Sequence, residues 1–263
     1  MTTLAASIDA SVSDSVLYRA LFAGLPNRYR LVEGKADVVV ASATDPAAAE
    51  RAVADGVRAI VLDQPGRLSI DQLFALEAAA DQHDCILVPA LRYSPRLASG
   101  PDLLGGAEVD LLESSITSPD PSRSSLVEQL ALVRQVLASV ATLRVLHSSA
   151  SHYVVEATVA GHLRSRVVLN GFRSTNGDED VSLHAIGIDR HVVVRIDACP
   201  LARPADISVF DGDGRWSPWP VHQHAQRITL AGLHRLLTTG EGSITYTLEH
   251  LRGDLLLADA LGD

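Results

Sequence analysis

The sequence predicts two halves of different construction: an α/β half on a parallel sheet, then an α+β half on a large, open, mostly antiparallel sheet with flanking helices. Three observations predict this. In the first hundred or so residues, short β-branched or apolar runs alternate with amphipathic stretches of helical length, the pattern of strand–helix–strand crossovers. After residue 142 the texture changes to alternating runs separated by tight turn signals, as in antiparallel strands with one face packed and one free. The chain has 263 residues, 47% of them hydrophobic, enough for one large domain or two smaller ones.

The elements follow in order. Residues 3–8 are a short apolar run. Residues 13–25, SDSVLYRALFAGL, carry Val16, Leu17, Ala20 and Leu21 at helical spacing, with Ser13 or Asp14 as cap and Pro26 as stop. Residues 28–33 are a short strand candidate. Residues 36–41, ADVVVA, are a β-branched run of the kind buried on both faces. Asp45-Pro46 is a helix start, N-cap followed by proline, and its helix runs through Ala54. Residues 57–62 are the next buried strand. Ser69 and Gln72 have capping-box spacing for a helix to Gln82, and residues 85–88 form another strand. Residues 114–125, rich in Ser, Pro and Asp, are expected to be a linker, and residues 126–138 an amphipathic helix. Four alternating runs follow (144–161, 164–172, 181–188, 191–198), then closing helices at 229–239 and 248–261.

Composition excludes several functions. Net charge is −10, and the arginines form no patch in sequence, so nucleic acid and anionic membrane are not expected partners. No apolar run approaches the roughly 18 residues of a membrane span. The opening MTTLAASIDAS lacks the basic region of a secretory leader, and the expected location is cytoplasmic. Cys85 and Cys199 are too few for a disulfide framework and read as buried fillers. Lys35 is the only lysine, so any lysine-dependent chemistry has one candidate.

Residues 36–97, ADVVVASATDPAAAERAVADGVRAIVLDQPGRLSIDQLFALEAAADQHDCILVPALRYSPRL, resemble the Gfo/Idh/MocA family of oxidoreductases (glucose-fructose oxidoreductase, inositol dehydrogenase, MocA) in the order of their elements and in the closing Arg92-Tyr93-Ser94-Pro95. The end, GSITYTLEHLRGDLLLADAL, resembles the family's closing helix. The resemblance implies a Rossmann-like domain, here shortened, over residues 1–120. It implies a sheet domain for substrate and oligomerisation over 121–263, with the closing helix packing back on the first. It also implies NAD(P) as the family cofactor.

The family's functional residues are replaced one after another. Its glycine loop corresponds to Asp9, Ser11 and Asp14, with no glycine before Gly24. Side chains there fill the space that a pyrophosphate needs beside backbone, and Asp14 is expected to cap its helix and fill the anion site itself. Glu33 stands for the ribose-binding acid, and about one helix–strand unit is missing before Lys35. The lysine of the family's Glu-Lys-Pro corresponds to Gln64, which does not titrate near neutral pH, and its glutamate to Asp63. Lys35 lies at the wrong end of the preceding strand to substitute. The family's Asp-x-x-x-His corresponds to Ser125 and Gln129, with Glu128 the only acid nearby. The resemblance therefore leaves no confident catalytic or cofactor residue. Asp63, Gln64, Arg92 and Tyr93 remain as lining of a ligand cleft.

Other groupings carry less. His222 and His224 have the spacing for one face of a strand but no acid or cysteine nearby, so no metal is expected. His147 and His152 flank SSAS and read as exposed turn residues. No G-x-S-x-G occurs. Residues 211–220, DGDGRWSPWP, read as a loop packing Trp216 and Trp219 at an edge. Three readings follow: a partner subunit or small-molecule-binding module without NAD(P); an active NAD(P)-dependent oxidoreductase of sugars or cyclitols; or a cofactor-free lyase or isomerase using Asp63, Glu128 or histidines. The expected partner is a second copy, or an intact family member, met through the sheet of the second half. The expected ligand is sugar-like.

Overall fold

The computed structural model describes residues 2–98, 102–177, 179–197, 203–218, 220, 222–242 and 244–262. The first elements are β1 (Leu4–Ile8), α1 (Ser15–Ala23), β2 (Tyr29–Leu31), β3 (Val38–Ser42), α2 (Pro46–Ala54), β4 (Ala59–Asp63), α3 (Ile70–Gln82) and β5 (Ile86–Ala90). Then come α4 (Pro95–Ala98), β6 (Leu111–Ser118), α5 (Arg123–Val136), β7 (Val140–Ser149), β8 (His152–Val159) and β9 (His162–Arg173). The chain continues with β10 (Asp180–Ile186), β11 (Arg190–Asp197), β12 (Asp206–Asp211), β13 (Gly214–Trp216), α6 (Ala225–Thr239) and α7 (Leu248–Ala258).

The chain divides into two compact units: Met1–Leu91 with Ala225–Leu255, and Arg92–His224 with Leu256–Asp263. The division falls at Leu91, not at the expected residue 120, because the supposed linker 114–125 contains most of β6, a strand inside the second sheet.

In the first unit a parallel sheet has the order β2-β1-β3-β4-β5. One face packs Leu4, Ala6, Val38, Val40 and Val61 against Tyr18, Leu21 and Phe22 of α1 and Leu230 and Leu233 of α6. The buried face of α1 differs from the one expected: Val16 is 77% exposed, and Tyr18 and Phe22 point inward instead. The opposite face is met by α2 and α3. The capping box of α3 forms as its spacing predicts, with Gln72 N–H to Ser69 Oγ at 3.1 Å and Ser69 N–H to Gln72 Oε1 at 2.8 Å.

The link from β2 to β3 is unusually short. A parallel crossover commonly needs a dozen or more residues, and residues 32–37 make this one in six. The register explains how. Ala6 of β1 lies opposite Leu31 of β2 and also opposite Val38 of β3, so β2 ends at the level where β3 begins. The link has to cross only two inter-strand steps, roughly 10 Å, well within the roughly 20 Å reach of six residues. Gly34 turns it at φ 108°, a backbone angle that favours glycine. Asp37 secures its far end by accepting the Ala5 N–H at 2.7 Å. This is the shortened Rossmann-like sheet.

In the second unit the sheet has the order β13-β12-β11-β10-β6-β9-β8-β7. Only the β6–β9 pair is parallel. Alternation is strict on β11: Val192, Val194 and Ile196 are buried, while His191, Val193, Arg195 and Asp197 take the other face. Gln129 of α5 ties its helix to three strands. Its amide donates to Ser114 O at 3.0 Å and Asn170 O at 3.1 Å, and its oxygen accepts the Tyr153 hydroxyl at 2.6 Å.

Several expectations change. The run 144–161 is two strands, β7 and β8, so His147 and His152 are strand residues; His152 stacks on Phe172 with ring centroids 4.6 Å apart. Trp216 ends a short strand, with its indole N–H on Asp211 at 2.9 Å. His222 is exposed and His224 buried, and neither lies in a strand, so the pair shares no strand face. Cys85 is buried, with its thiol pushed by burial up to about 11; Cys199 and Trp219 lie outside the described residues. No helix among the described residues is long and apolar enough to cross a membrane.

Candidate functional site

The first unit holds a hollow of about 770 Å³ beside the carboxyl end of β1, the size of a small-molecule site. The chain turns from β2 on one side of β1 to β3 on the other, and ligands of open parallel sheets bind at such reversals. Its walls are Ser7–Ala10 of β1 and the following turn, the 31–36 link, Val39, Val57 and one flank of α2. Six charged side chains line it: Asp9, Glu33 and Asp55, and Arg19, Lys35 and Arg51.

Of the residues matched to the family's cofactor loop and ribose acid, the structure brings Asp9 and Glu33 into this hollow. Ser11 and Asp14 are not among its lining residues. The turn is closed on itself. Asp9 Oδ1 accepts the Ser11 N–H at 2.8 Å, and Asp14 Oδ1 caps α1 by accepting the Leu17 N–H at 3.1 Å. Burial pushes the Asp9 carboxyl up, but the Ser11 hydroxyl and amide and the charge of Arg51 together hold it below the usual value. A pyrophosphate binds such a turn through free amides and the positive end of the helix. Here a carboxylate occupies each of these two amides. The residues present do not fit a dinucleotide held in that manner.

At the end of β4, Asp63 is 4% exposed and accepts the Tyr18 hydroxyl at 3.0 Å. Gln64 follows with φ 54°, and its amide donates to Ser13 Oγ at 3.2 Å. Neither lines the hollow. The two form a buried anchor and a polar clasp between β4 and the start of α1.

In the second unit Arg92, Tyr93 and Glu128 gather. The Arg92 N–H donates to Glu128 Oε1 at 2.9 Å, and the Arg92 guanidinium pairs with Glu179. Glu128 is 7% exposed, and its Oε2 has no hydrogen-bond partner among the described residues. Burial pushes its carboxyl up to about 7, against the lowering pull of the Arg92 and Tyr93 amides and the Arg92 charge, while Glu179 adds repulsion. Tyr93 is buried, and burial beside Glu128 and Glu179 raises its hydroxyl far above physiological pH. Ser125 and Gln129 are structural: Ser125 Oγ donates to Asp120 O at 3.3 Å, and Gln129 bonds within the sheet as described.

Sequence reasoning passed over Lys35, Arg19 and Arg51 as lining. They come from the 32–37 link, α1 and α2, and no spacing rule joins them. Gly34, turning Glu33 and Lys35 to the same hollow, was the one local signal.

No family model matches the chain, and no curated protein matches it in sequence. Solved structures do match in fold. An oxidoreductase from Sinorhizobium meliloti superposes with a TM-score of 0.76 at 12% identity, covering 99% of this chain and 96% of that one. Levoglucosan dehydrogenase in complex with NADH and levoglucosan gives 0.75 at 10%, covering 99% and 96%. UDP-N-acetylglucosamine 3-dehydrogenase from Acidithiobacillus ferrooxidans gives 0.68 at 14%, covering 98% and 96%.

The chain carries the fold of these oxidoreductases.

That is the fold the resemblance to the Gfo/Idh/MocA family implies. Identities this low speak for the fold alone, so the chemistry has to be argued from this chain's own side chains.

Proposed function

We propose that this chain keeps the oxidoreductase fold without NAD(P) binding or hydride transfer, and acts as a partner subunit or small-molecule-binding module. The observation that supports this most is the self-capped turn, in which Asp9 and Asp14 take the Ser11 and Leu17 amides. Gln64 adds to it, since an amide neither gives nor takes a proton at neutral pH. Calorimetry with NAD(H) and NADP(H) tests the reading. No binding in the micromolar range is expected; a low-micromolar dissociation constant, about −8 kcal/mol, overturns it.

The partner half of the reading draws on the outer face of the eight-stranded sheet. His184 and His191 lie 5.8 Å apart there, His191 stacks on Phe210 at 5.6 Å, and Arg215 sits over the Phe210 ring at 5.5 Å. We expect a second copy, or an intact relative, to cover that face. Two rival readings remain. An active sugar or cyclitol oxidoreductase is favoured by the activities of the dehydrogenases of like fold. A cofactor-free acid–base enzyme is favoured by Glu128, whose carboxyl titrates at about 7.

A further inference from the structure

The hollow beside β1 has a charge arrangement that asks for a particular kind of ligand. Three cations converge on it from three separate elements: Arg19 from α1, Lys35 from the link and Arg51 from α2. Among the described residues Arg19 and Lys35 form no ion pair or side-chain hydrogen bond, and Arg51 has only a loose one, with Asp45 at 3.7 Å on a side chain 65% exposed. In a chain of net charge −10, three cations at one hollow call for an anion of more than one charge. Arginine forks and a lysine ammonium suit phosphate oxygens.

The carboxylates set the second requirement. Glu33 and Asp55 line the same hollow, and ionised carboxylates only accept hydrogen bonds. A ligand that brought nothing but negative charge would be repelled by them. The ligand therefore carries donors as well, and hydroxyl groups supply them. The third requirement is size and reach. The amides of the neighbouring turn are taken by Asp9 and Asp14, so the phosphate has to be held by side chains, inside about 770 Å³. No aromatic ring lines the hollow, so a stacking platform for a base is lacking.

We propose that this hollow binds a hydroxylated phosphate monoester of sugar-phosphate size, with Lys35, Arg51 and Arg19 on the phosphate and Glu33 and Asp55 on the hydroxyls. The inference rests on the binding-module half of the reading above and gives that module a site and a ligand class. Anion recognition has passed from backbone amides to side chains, which removes the need for a glycine loop.

The test titrates the whole chain with ribose 5-phosphate, ribose, AMP, inorganic phosphate and NAD⁺, by calorimetry and by amide shifts in NMR. Ribose 5-phosphate is expected to saturate below about 1 mM, with shifts centred on residues 31–36 and α2, and ribose alone is expected not to bind. Lys35→Ala or Arg51→Ala is expected to weaken it about tenfold or more, the loss of one charge-assisted contact. Lys35→Arg is expected to retain most of the affinity. Circular dichroism checks that these exposed replacements leave the fold intact. AMP binding with the same dependence on Lys35 also supports the site, and its affinity relative to ribose 5-phosphate tells a nucleotide source from a free sugar phosphate. Inorganic phosphate binding as tightly as the ester, an adventitious ion only, overturns the proposal. So does the absence of saturable ester binding, or affinity indifferent to both alanine variants. These failures leave the loss-of-cofactor reading standing, whereas low-micromolar NAD⁺ binding overturns both.

Discussion

Replacing Glu128 with glutamine is expected to change how stability depends on pH. The carboxyl is buried, and its titration moves from an ordinary 4.5 to about 7. The folded protein thus holds this proton more tightly than the unfolded chain does. The sign follows: the stabilising contribution is full below about pH 4.5, declines as pH rises through 7, and is gone above it. A shift of about 2.5 units at about 1.36 kcal/mol per unit is about 3 kcal/mol in all. Roughly half of that, about 1.4 kcal/mol, is lost between pH 6 and pH 8.5. Glutamine keeps an oxygen to accept the Arg92 N–H but does not ionise. Its extra amide sits where Oε2 has no hydrogen-bond partner and costs about 1 kcal/mol at every pH. That cost cancels when the two pH values are compared. Urea unfolding of both proteins at pH 6 and 8.5 measures the difference. The variant is expected to gain about 1.4 kcal/mol on the parent across that interval, with unchanged slope against urea. Parallel pH profiles for the two proteins would show that Glu128 is hydrated or paired, and would refute the reasoning.

Three further outcomes are expected. Gln64→Lys does not create turnover with sugars or polyols and either nicotinamide cofactor, because the lysine is one of several missing parts and such groups act as a unit; reduced nicotinamide appearing with the single variant would mean that the turn at Asp9 admits the cofactor. Gly171→Ala lowers the unfolding midpoint, since a Cβ there meets the Tyr153 ring at 2.1 Å, an overpacking clash of about 1–3 kcal/mol; a midpoint equal to the parent's would show that the ring moves freely. Sedimentation at micromolar concentration is expected to give a dimer, with an interface of at least about 1,000 Å² that is lost when His191 and Phe210 are both replaced by Asp; a monomeric parent counts against self-association.

The sequence made most of the first unit legible because its signals are local. The capping box at Ser69 and the proline start at Pro46 each mark a boundary within a few residues, and the β-branched run from Val38 marks the core strand. β6 escaped notice for a physical reason. One of its inward positions is Ser114, fully buried and satisfied by Gln129, fifteen residues away. A buried serine reads as linker until its partner is known. The β12–β13 hairpin was legible in principle, through Gly212-Asp213 between Asp211 and Gly214, but the tryptophans drew the reading toward a loop. Among site residues, Asp9 and Glu33 were reached by resemblance. Lys35, Arg19 and Arg51 were not, because their meeting depends on the six-residue link and no spacing encodes it.

That link also bears on how the chain finds its fold. Closing a loop costs an entropy that grows as the logarithm of its length, so a connection six times longer would cost about 1.6 kcal/mol more. Parallel pairing is ordinarily slow because its partners lie far apart along the chain. Here β1, β2 and β3 all fall within the first 42 residues. The three-stranded start of the sheet is thus a local structure in kinetic terms, able to form before the later strands of either unit have been sorted.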